Sequence, residues 1–386
     1  MTREERVMNI ITGKPVDYLP SQITIADRSK DDVIAKALGL EGASKLDDYL
    51  DNHIIVTLTL CDTALFYRND AAKMAELEEK GYVKVDRKNG IVYDSWGIGI
   101  KIGEEGFFAT YHPLQGNRKA NDLAEPFLPD RLDRSILELP FAQAIRKYTP
   151  PDPLRSDNFD DMIRDKALYG KDGNFFVIPS GYLGLYERAY SIMGFEQFMM
   201  ESITDPDSVS ILLDMITEYK IAHAHKKIEL GFKVGHHGDD LGTQTGPFIS
   251  PKLFHKLLLP RMTRIFNVFR DAGCPMVLHS CGNITDFIPP LIDAGLSLLE
   301  PVQPCMDFEF LKKEYGDRLS FWGGIDTQRL LPFGTPEEVK EETRRVIRIL
   351  GQGGRYIIAP SQEIMTDVPV TNIVALLETI QESRHK

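Results

Sequence analysis

The segment MVLHSCGN at residues 276–283 predicts a short buried strand that ends in a histidine and a cysteine two positions apart. Residues i and i+2 of a strand face the same side, so His279 and Cys281 can point to one place, and Gly282 lets the chain turn there. An imidazole and a thiolate on one face suit a zinc ion. The alternative is that Cys281 is a small buried apolar residue and His279 a hydrogen-bonded core residue. Zinc needs three or four ligands, so the rest of the chain has to supply the others.

The composition of the chain excludes several classes of protein. With 386 residues, 42% of them hydrophobic and 26% charged, it is typical of soluble globular proteins, and α/β barrels reach this length as single domains. A net charge of −12 without any Lys- and Arg-rich block argues against a nucleic-acid partner. No apolar run approaches the roughly 18 residues of a membrane span, and the N-terminal sequence does not resemble a secretion signal. Four cysteines predict no disulfide framework in so long a chain, so we expect a cytoplasmic protein.

A repeated alternation of strands and helices predicts the fold. Short apolar segments that precede small or polar residues are typical of buried parallel strands, and they occur at residues 175–180, 233–239, 276–279, 297–302, 319–323 and 356–359. Earlier segments at 19–26 and 53–60 bring the predicted strands to eight. This pattern predicts a single TIM-type (β/α)8 barrel domain over residues 1–386, with a large insertion after the second strand. A doubly wound open sheet is the alternative, but no Gly-x-Gly-x-x-Gly sequence follows any strand.

Residues 63–172 form the predicted insertion. Within it, residues 82–112 alternate apolar and polar side chains around Asn89-Gly90, which is a strong signal for a β-hairpin. The sequence TPPDP at 149–153 predicts a stiff connector. The insertion is interpreted either as a lid or partner-docking surface or as a hairpin that only stabilises the domain. The sequence leaves the oligomeric state open and is compatible with a homodimer.

Polar residues gather where the predicted strands end. Barrel enzymes build their active sites at the carboxyl ends of the strands, so these residues predict a small-molecule site. The segments concerned are Ser180-Gly181-Tyr182, His236-His237-Gly238-Asp239-Asp240, His279-Ser280-Cys281, Glu300-Pro301-Val302-Gln303, Gly323-Gly324-Ile325-Asp326 and Ser361-Gln362-Glu363.

The second half of the chain resembles the uroporphyrinogen decarboxylase superfamily, which includes the zinc methyltransferases of corrinoid-dependent methyl transfer. The resemblance covers about residues 175–380, and the N-terminal half only loosely. Its motifs are specific for the superfamily rather than for one reaction. They are GDDLGTQ at 238–244, ISP at 249–251, LHSCGN at 278–283, GGID at 323–326 and AP at 359–360.

The resemblance implies a zinc site and argues against decarboxylation of a polycarboxylate. The decarboxylases carry an Arg-Gln-Ala-Gly-Arg element that grips substrate carboxylates, whereas the matching residues 19–28 contain one arginine, Arg28. The methyltransferases use a His-x-Cys pair as zinc ligands, and residues 279–281 match it. In the coenzyme M branch a further cysteine follows the last strand, and Gln362 stands at that position here. Glu300 is the best candidate for the third ligand, and Glu363, Cys305 or a water molecule are weaker candidates.

Replacing a cysteine ligand by a carboxylate or water leaves a harder, more electrophilic ion. Such an ion suits the methyl-donor side of a corrinoid system, in which a methyl group passes from a small methylated substrate to Co(I) on a separate corrinoid protein. The resemblance therefore favours a zinc-dependent methyltransferase that acts on a small O-methyl or N-methyl compound, with an aryl methyl ether as the expected substrate.

Further site residues are predicted from the strand ends. We expect substrate contacts from Tyr182, Gln244 and Asp326. His236, His237 and Asp240 could bind the substrate or protonate its leaving oxygen, and each could also be structural. The alternatives to the methyltransferase are a decarboxylase or other lyase, from which metal content separates it, and a non-catalytic relative that binds a corrinoid or tetrapyrrole, from which turnover separates it.

Overall fold

A ring of parallel strands forms the centre of the molecule. The structure, a computed structural model, describes residues 1–103, 109–115 and 128–384, so the parts of the predicted insertion at 104–108 and 116–127 lie outside the described residues. The strands are β1 (Ile54–Thr57), β2 (Val83–Asp86), β3 (Ile91–Asp94), β4 (Gly99–Lys101), β5 (Phe176–Pro179), β6 (Gly235–Gly238), β7 (Met276–His279), β8 (Leu296–Val302), β9 (Ser320–Ile325) and β10 (Tyr356–Pro360).

Seven of these strands and one further segment give the eight positions of a TIM-type barrel. Strands β6 to β10 pair in parallel in sequence order, and β1 pairs in parallel with β5. Backbone hydrogen bonds join Gly238, at the end of β6, to Gly181 and Gly184 in the loop after β5. Residues 21–25 lie between β1 and β10, because Ser21 forms parallel bridges to both Asn52 and Ile358. The predicted barrel is therefore the fold of this chain, rather than an open sheet.

The first predicted strand, 19–26, is present only as isolated bridges. Side-chain amides replace part of its backbone ladder: Asn52 Oδ1 accepts the Ile23 N–H at 2.7 Å, and Gln22 Oε1 accepts the Ile54 N–H at 3.0 Å. Pro20 also has no N–H to donate. The segment thus fills a barrel position without regular strand pairing, and the sequence pattern could not reveal that difference.

Helices surround the ring on its outer side and at its amino-terminal end. Along the chain they are α1 (Arg3–Thr12), α2 (Asp31–Ala37), α3 (Leu46–Leu50), α4 (Leu60–Thr63), α5 (Ala71–Glu79), α6 (Phe141–Ala144), α7 (Asp160–Tyr169), α8 (Tyr186–Met193), α9 (Phe195–Thr204), α10 (Pro206–Glu229), α11 (Pro251–Leu253), α12 (Leu259–Asp271), α13 (Ile288–Asp293), α14 (Phe308–Tyr315), α15 (Leu330–Phe333), α16 (Pro336–Leu350) and α17 (Val370–Arg384). None of the helices in the described ranges is both long and apolar enough to cross a lipid bilayer.

Helix α1 closes the amino-terminal end of the barrel. Val7, Ile10 and Ile11 are buried and form one apolar cluster with inward-facing residues of the strands, among them Val277 and Trp322. The helix begins at a capping box, in which the Thr2 hydroxyl accepts the Glu5 N–H and the Glu5 carboxylate accepts the Thr2 N–H. With this end filled by side chains, a ligand has to enter from the carboxyl ends of the strands.

The turn at Asn89-Gly90 joins β2 and β3, which pair in antiparallel fashion, and β4 continues this small sheet. Gly90 has a φ of 64°, a conformation that favours glycine, and Asp86 accepts the Asn89 N–H. Trp96, in the loop before β4, is fully buried and packs edge-on against Tyr219 of α10, with ring centroids 4.7 Å apart. The hairpin therefore shares a hydrophobic core with the barrel helices.

Candidate metal centre

Three potential metal ligands meet at the carboxyl ends of β6 and β7. Asp240, His279 and Cys281 each offer one ligand atom, and these atoms lie within 4.8 Å of one another. Nε2 of His279 is 3.5 Å from Oδ1 of Asp240 and 3.8 Å from Sγ of Cys281. Oδ1 of Asp240 also accepts the Cys281 backbone N–H at 2.9 Å, which holds the carboxylate over the site. One nitrogen, one sulfur and one oxygen make a donor set that fits zinc and leaves a fourth position for a substrate.

Glu300, the expected third ligand, lies on the other side of the His279 ring. Its Oε2 is 2.5 Å from Nδ1, whereas Asp240 and Cys281 face Nε2. A carboxylate that accepts the Nδ1 hydrogen fixes the tautomer and leaves the Nε2 lone pair available to a metal. Burial lowers the pKa of His279, but Glu300, Tyr182 and the contacts with Asp240 and Cys281 together raise it well above its usual value. A metal ion that binds Nε2 would therefore displace a proton from this nitrogen. The geometry thus gives Glu300 an orienting position and puts Asp240 among the three grouped residues.

Gln362 approaches the sulfur directly. Its Nε2 is 2.8 Å from Cys281 Sγ, so the amide donates a short hydrogen bond to the sulfur. The other expected candidates lie apart: Cys305 lines a neighbouring cavity, and Glu363 is exposed to solvent. Neither belongs to the group formed by Asp240, His279 and Cys281.

The positions of the two carboxylates predict different effects of substitution. Glu300→Gln removes the charge behind His279, and we expect zinc affinity to fall about 10- to 100-fold, as for other partners of metal-bound histidines. Asp240→Asn replaces a carboxylate ligand with a neutral amide, which is a much weaker zinc ligand, and we expect a larger loss. Competition with a chromophoric chelator at neutral pH measures both affinities. A larger loss in Glu300→Gln than in Asp240→Asn would instead make Glu300 the ligand.

Tyr182 and His236 line the interior beside this group. The Tyr182 ring lies edge-on to both imidazoles, with its centroid 5.1 Å from that of His279 and 5.3 Å from that of His236. Nδ1 of His236 accepts the Gly181 backbone N–H at 3.0 Å. Burial lowers the pKa of His236 well below its usual value, so the ring is neutral and carries its hydrogen on Nε2.

His237 faces the helix layer rather than the interior, because adjacent residues of a strand point to opposite sides. It is fully buried, lies edge-on to Phe266 of α12, and has Nε2 3.5 Å from Oδ2 of Asp239. The Asp239 carboxylate in turn caps the start of α8, where it accepts the backbone N–H groups of Leu185, Tyr186 and Glu187. His236 and Asp240 therefore lie on the side of the metal-ligand group, and His237 does not.

Two buried lysines of α10 hold the loop that carries Tyr182. Nζ of Lys220 donates to the Tyr182 carbonyl oxygen at 2.9 Å, and Nζ of Lys227 donates to the Ser180 carbonyl oxygen at 2.5 Å. Both lysines are at least 96% buried. Burial lowers the pKa of Lys227 to about 7. The two lysine side chains thus hold the backbone on both sides of Gly181.

Asp62, just after β1, balances this positive charge. Its carboxylate is 3.0 Å from Nζ of Lys220 and 3.1 Å from Nη2 of Arg188, and the Arg188 guanidinium also lies 3.4 Å from Asp94 in β3. Burial raises the pKa of Asp62, but the cations, Lys220 first, lower it below its usual value. This chain of contacts links the hairpin to the Tyr182 loop. The sequence did not reveal it, because isolated charged residues in helices usually face solvent.

A cavity of about 300 Å³ lies beside the metal-ligand group. Gln303 connects the two, because its Oε1 accepts the N–H of Gly282, the residue after Cys281, at 2.7 Å. Two predicted substrate residues, Gln244 and Asp326, line the cavity, whereas Tyr182 does not. Its lining is completed by Gln303, Pro304, Cys305, Gln328, Arg329 and Ser361. A larger cavity of about 520 Å³ beside β2 contains none of the three potential ligands, so size alone does not mark the site.

Glu187, in the first turn of α8, is a further acidic residue near the group. Burial and the neighbouring carboxylates of Asp240 and Asp239 raise its pKa well above the usual value. No sequence signal indicated Glu187, because it follows no strand end and belongs to none of the motifs named above.

Comparison with known proteins identifies relatives of the chain. The family model described as "Uroporphyrinogen decarboxylase (URO-D)" matches residues 186–383, which is just over half of the chain and includes Asp240, His279 and Cys281. A methylcobamide:CoM methyltransferase, MtaA, of Methanosarcina barkeri is 26% identical over 383 residues, which cover 99% of this chain and 98% of that protein. A methylated-thiol–coenzyme M methyltransferase of Methanosarcina mazei is 23% identical, covering 66% of this chain and 67% of that protein.

A decarboxylase and a solved structure are also similar. The uroporphyrinogen decarboxylase of Coxiella burnetii is 23% identical over 180 residues, 46% of this chain and 48% of that protein. The solved structure described as a methyltransferase from Methanosarcina mazei superposes with a TM-score of 0.60 and covers 99% of both chains, at 19% identity. That structure supports the fold. A second methylcobamide:CoM methyltransferase of Methanosarcina barkeri is also matched over 99% of this chain and 98% of that protein, at 25% identity.

Proposed function

Because the chain belongs to the uroporphyrinogen decarboxylase family, we propose that it is a zinc-dependent methyltransferase that passes a methyl group from a small methylated compound to a corrinoid protein. The observation that carries the proposal is the grouping of Asp240, His279 and Cys281 at the mouth of the barrel. Decarboxylation of a polycarboxylate would call for cations at this place, and the site offers metal ligands instead.

Different residues of the chain would bind the metal ion and orient its ligands. His279, Cys281 and Asp240 supply the ligand atoms, and Glu300 keeps Nε2 of His279 directed at the site. The Gln362 amide disperses the negative charge of the Cys281 sulfur. A zinc ion bound there would polarise an ether oxygen and make it a better leaving group.

The presence of one sulfur among the three potential ligands supports a role on the methyl-donor side of corrinoid-dependent methyl transfer. Gln362, which contacts Cys281, stands where the coenzyme M branch has a further cysteine, and Cys305 lies outside the group. Fewer thiolate ligands leave a more electrophilic metal, which favours activation of an ether over retention of a second thiolate. The proposed substrate is therefore an aryl methyl ether rather than a thiol.

The surrounding residues suit an aromatic substrate. Tyr182 offers an aromatic edge beside His279, and His236 is neutral with its hydrogen on Nε2, so it can donate a hydrogen bond to the leaving oxygen. Gln244 and Asp326 line the adjoining cavity and would contact the rest of the substrate. Lys220 and Lys227 position Tyr182 through the backbone of its loop.

The decarboxylase alternative lacks support at residues 19–28, which match the carboxylate-binding element of the decarboxylases. Arg28 is the only arginine of residues 19–28, and its guanidinium is paired with Asp31 at 2.6 Å and with Asp47 at 2.8 Å. A substrate with many carboxylates needs several free cations to compensate its burial. Arg28 cannot provide them.

The test is a panel of methoxylated aromatics, methanol and methylated amines, each incubated with zinc-loaded protein and cob(I)alamin or a corrinoid protein. We expect at least one donor to give the spectrum of methylated cobalt, and only when the Co(I) acceptor is present. Uroporphyrinogen, tested in parallel, should release no carbon dioxide. Decarboxylation of uroporphyrinogen without zinc, with no active donor in the panel, would overturn the proposal.

A further inference from the structure

Arg329 is a cation at the edge of the candidate active site. It follows β9 and lines both the 300 Å³ cavity beside the metal-ligand group and an outer groove of about 630 Å³ along α15 and α16. Within the described ranges its guanidinium has no hydrogen-bond or ion-pair partner, although its backbone N–H donates to Asp326 at 3.0 Å. Among the described residues, no other one that lines the inner cavity carries a positive charge.

The other residues that line the cavity limit the negative charge of the ligand that it can bind. Oδ1 of Asp326 accepts two backbone N–H groups, from Gln328 and Arg329, which disperses its negative charge. The Gln303 side chain already has two hydrogen-bond partners: its Oε1 accepts the Gly282 N–H, and its Nε2 donates to the Ser361 carbonyl oxygen. The amides of Gln244 and Gln328 remain as hydrogen-bonding groups. With one arginine and one aspartate, the cavity has no surplus positive charge for a dianion.

We propose that Arg329 binds a carboxylate on the methylated substrate, so that the enzyme selects singly charged methoxylated aromatic acids over neutral aryl ethers. This inference rests on the function proposed above. The planar guanidinium matches the two oxygens of a carboxylate, and paired N–H···O bonds of this kind are stronger than neutral hydrogen bonds. Because the chain carries a net charge of −12, an anion gains little from the overall field and depends on a local cation.

The test is calorimetric titration of zinc-loaded protein with para-hydroxybenzoate, which carries both the leaving oxygen and the carboxylate, and with phenol, which lacks the carboxylate. We expect para-hydroxybenzoate to bind wild type at least about tenfold more tightly than phenol, and Arg329→Gln to lose that advantage. Arg329→Lys keeps the charge without the paired donors and should be intermediate. Arg348→Gln is the matched control, because Arg348 lines only the outer groove and should leave both affinities unchanged.

Kinetics separate this inference from the proposed function. With an active methoxybenzoate donor, Arg329→Gln should raise KM about tenfold and change kcat less than about twofold, since the interaction binds substrate and transition state alike. Equal affinity of wild type for phenol and para-hydroxybenzoate, including binding of neither, would overturn the inference. An unchanged para-hydroxybenzoate affinity in Arg329→Gln, or tighter binding of para-hydroxybenzenesulfonate than of the carboxylate, would overturn it as well. If any of these results came with methyl transfer from neutral ethers, the inference about Arg329 would fail and the proposed function would still hold.

Discussion

Replacement of His279 or of Cys281 by alanine is expected to reduce bound zinc from about one ion per chain to a small fraction of that, and to abolish methyl transfer. Each change removes one of three grouped ligand atoms, so the loss of affinity should exceed the roughly 100-fold upper range known for residues behind a ligand. Elemental analysis after dialysis gives the zinc content, and circular dichroism checks that the barrel is folded.

Cys274→Ala is the control for this experiment. Cys274 is a buried thiol, whereas Cys281 is half-buried, and the Cys274 sulfur lies 3.6 Å from the Phe232 carbonyl oxygen, outside the metal-ligand group. We expect that variant to retain its zinc. Full zinc occupancy in both His279→Ala and Cys281→Ala would exclude a metal centre at this place.

The second large effect is expected on stability. Asp62→Ala removes the carboxylate shared by Lys220 and Arg188 and leaves both cations buried without it, so the free energy of unfolding should fall by about 3–5 kcal/mol. Chemical denaturation monitored by circular dichroism measures the change. If the alanine variant does not fold, Asp62→Asn keeps the size of the side chain and should show a smaller loss in the same direction.

The matched control for Asp62 is Asp214 on α10. Asp214 pairs with Arg261 at 2.8 Å, but its side chain is 54% exposed, so Asp214→Ala should cost less than about 1 kcal/mol. Equal stability of Asp62→Ala and Asp214→Ala would contradict the structural importance of the buried network.

The barrel could be predicted because its strands leave a strong local pattern. Short apolar segments separated by helices indicate parallel strands, and all the strands from β5 to β10 fall within or close to the predicted ranges. The segment 19–26 differs because the amides of Gln22 and Asn52 take over backbone pairing, and that substitution depends on tertiary contacts. The proximity of His279 and Cys281 could be predicted from strand alternation, although β7 itself ends at His279 and Cys281 lies two residues beyond it.

The rest of the site depends on contacts that spacing does not encode. Glu300 lies within β8 and Asp240 follows β6, the two strands on either side of β7. The choice between them rests on the rotation of the His279 ring, which directs Nδ1 to Glu300 and Nε2 to Asp240. Lys220 meets Asp62 across 158 positions of sequence, so no local pattern connects them. His236 and His237 are adjacent, and only the pleat of β6 in the folded barrel separates their environments.

The most direct test of the metal centre is the X-ray absorption spectrum of the zinc-loaded protein at the zinc K edge. Coordination by Asp240, His279 and Cys281 predicts one sulfur neighbour at about 2.3 Å and the remaining nitrogen and oxygen neighbours at about 2.0–2.2 Å. A spectrum with no sulfur neighbour would contradict the participation of Cys281. A spectrum with two sulfur neighbours would contradict the single-thiolate site on which the methyl-donor assignment depends.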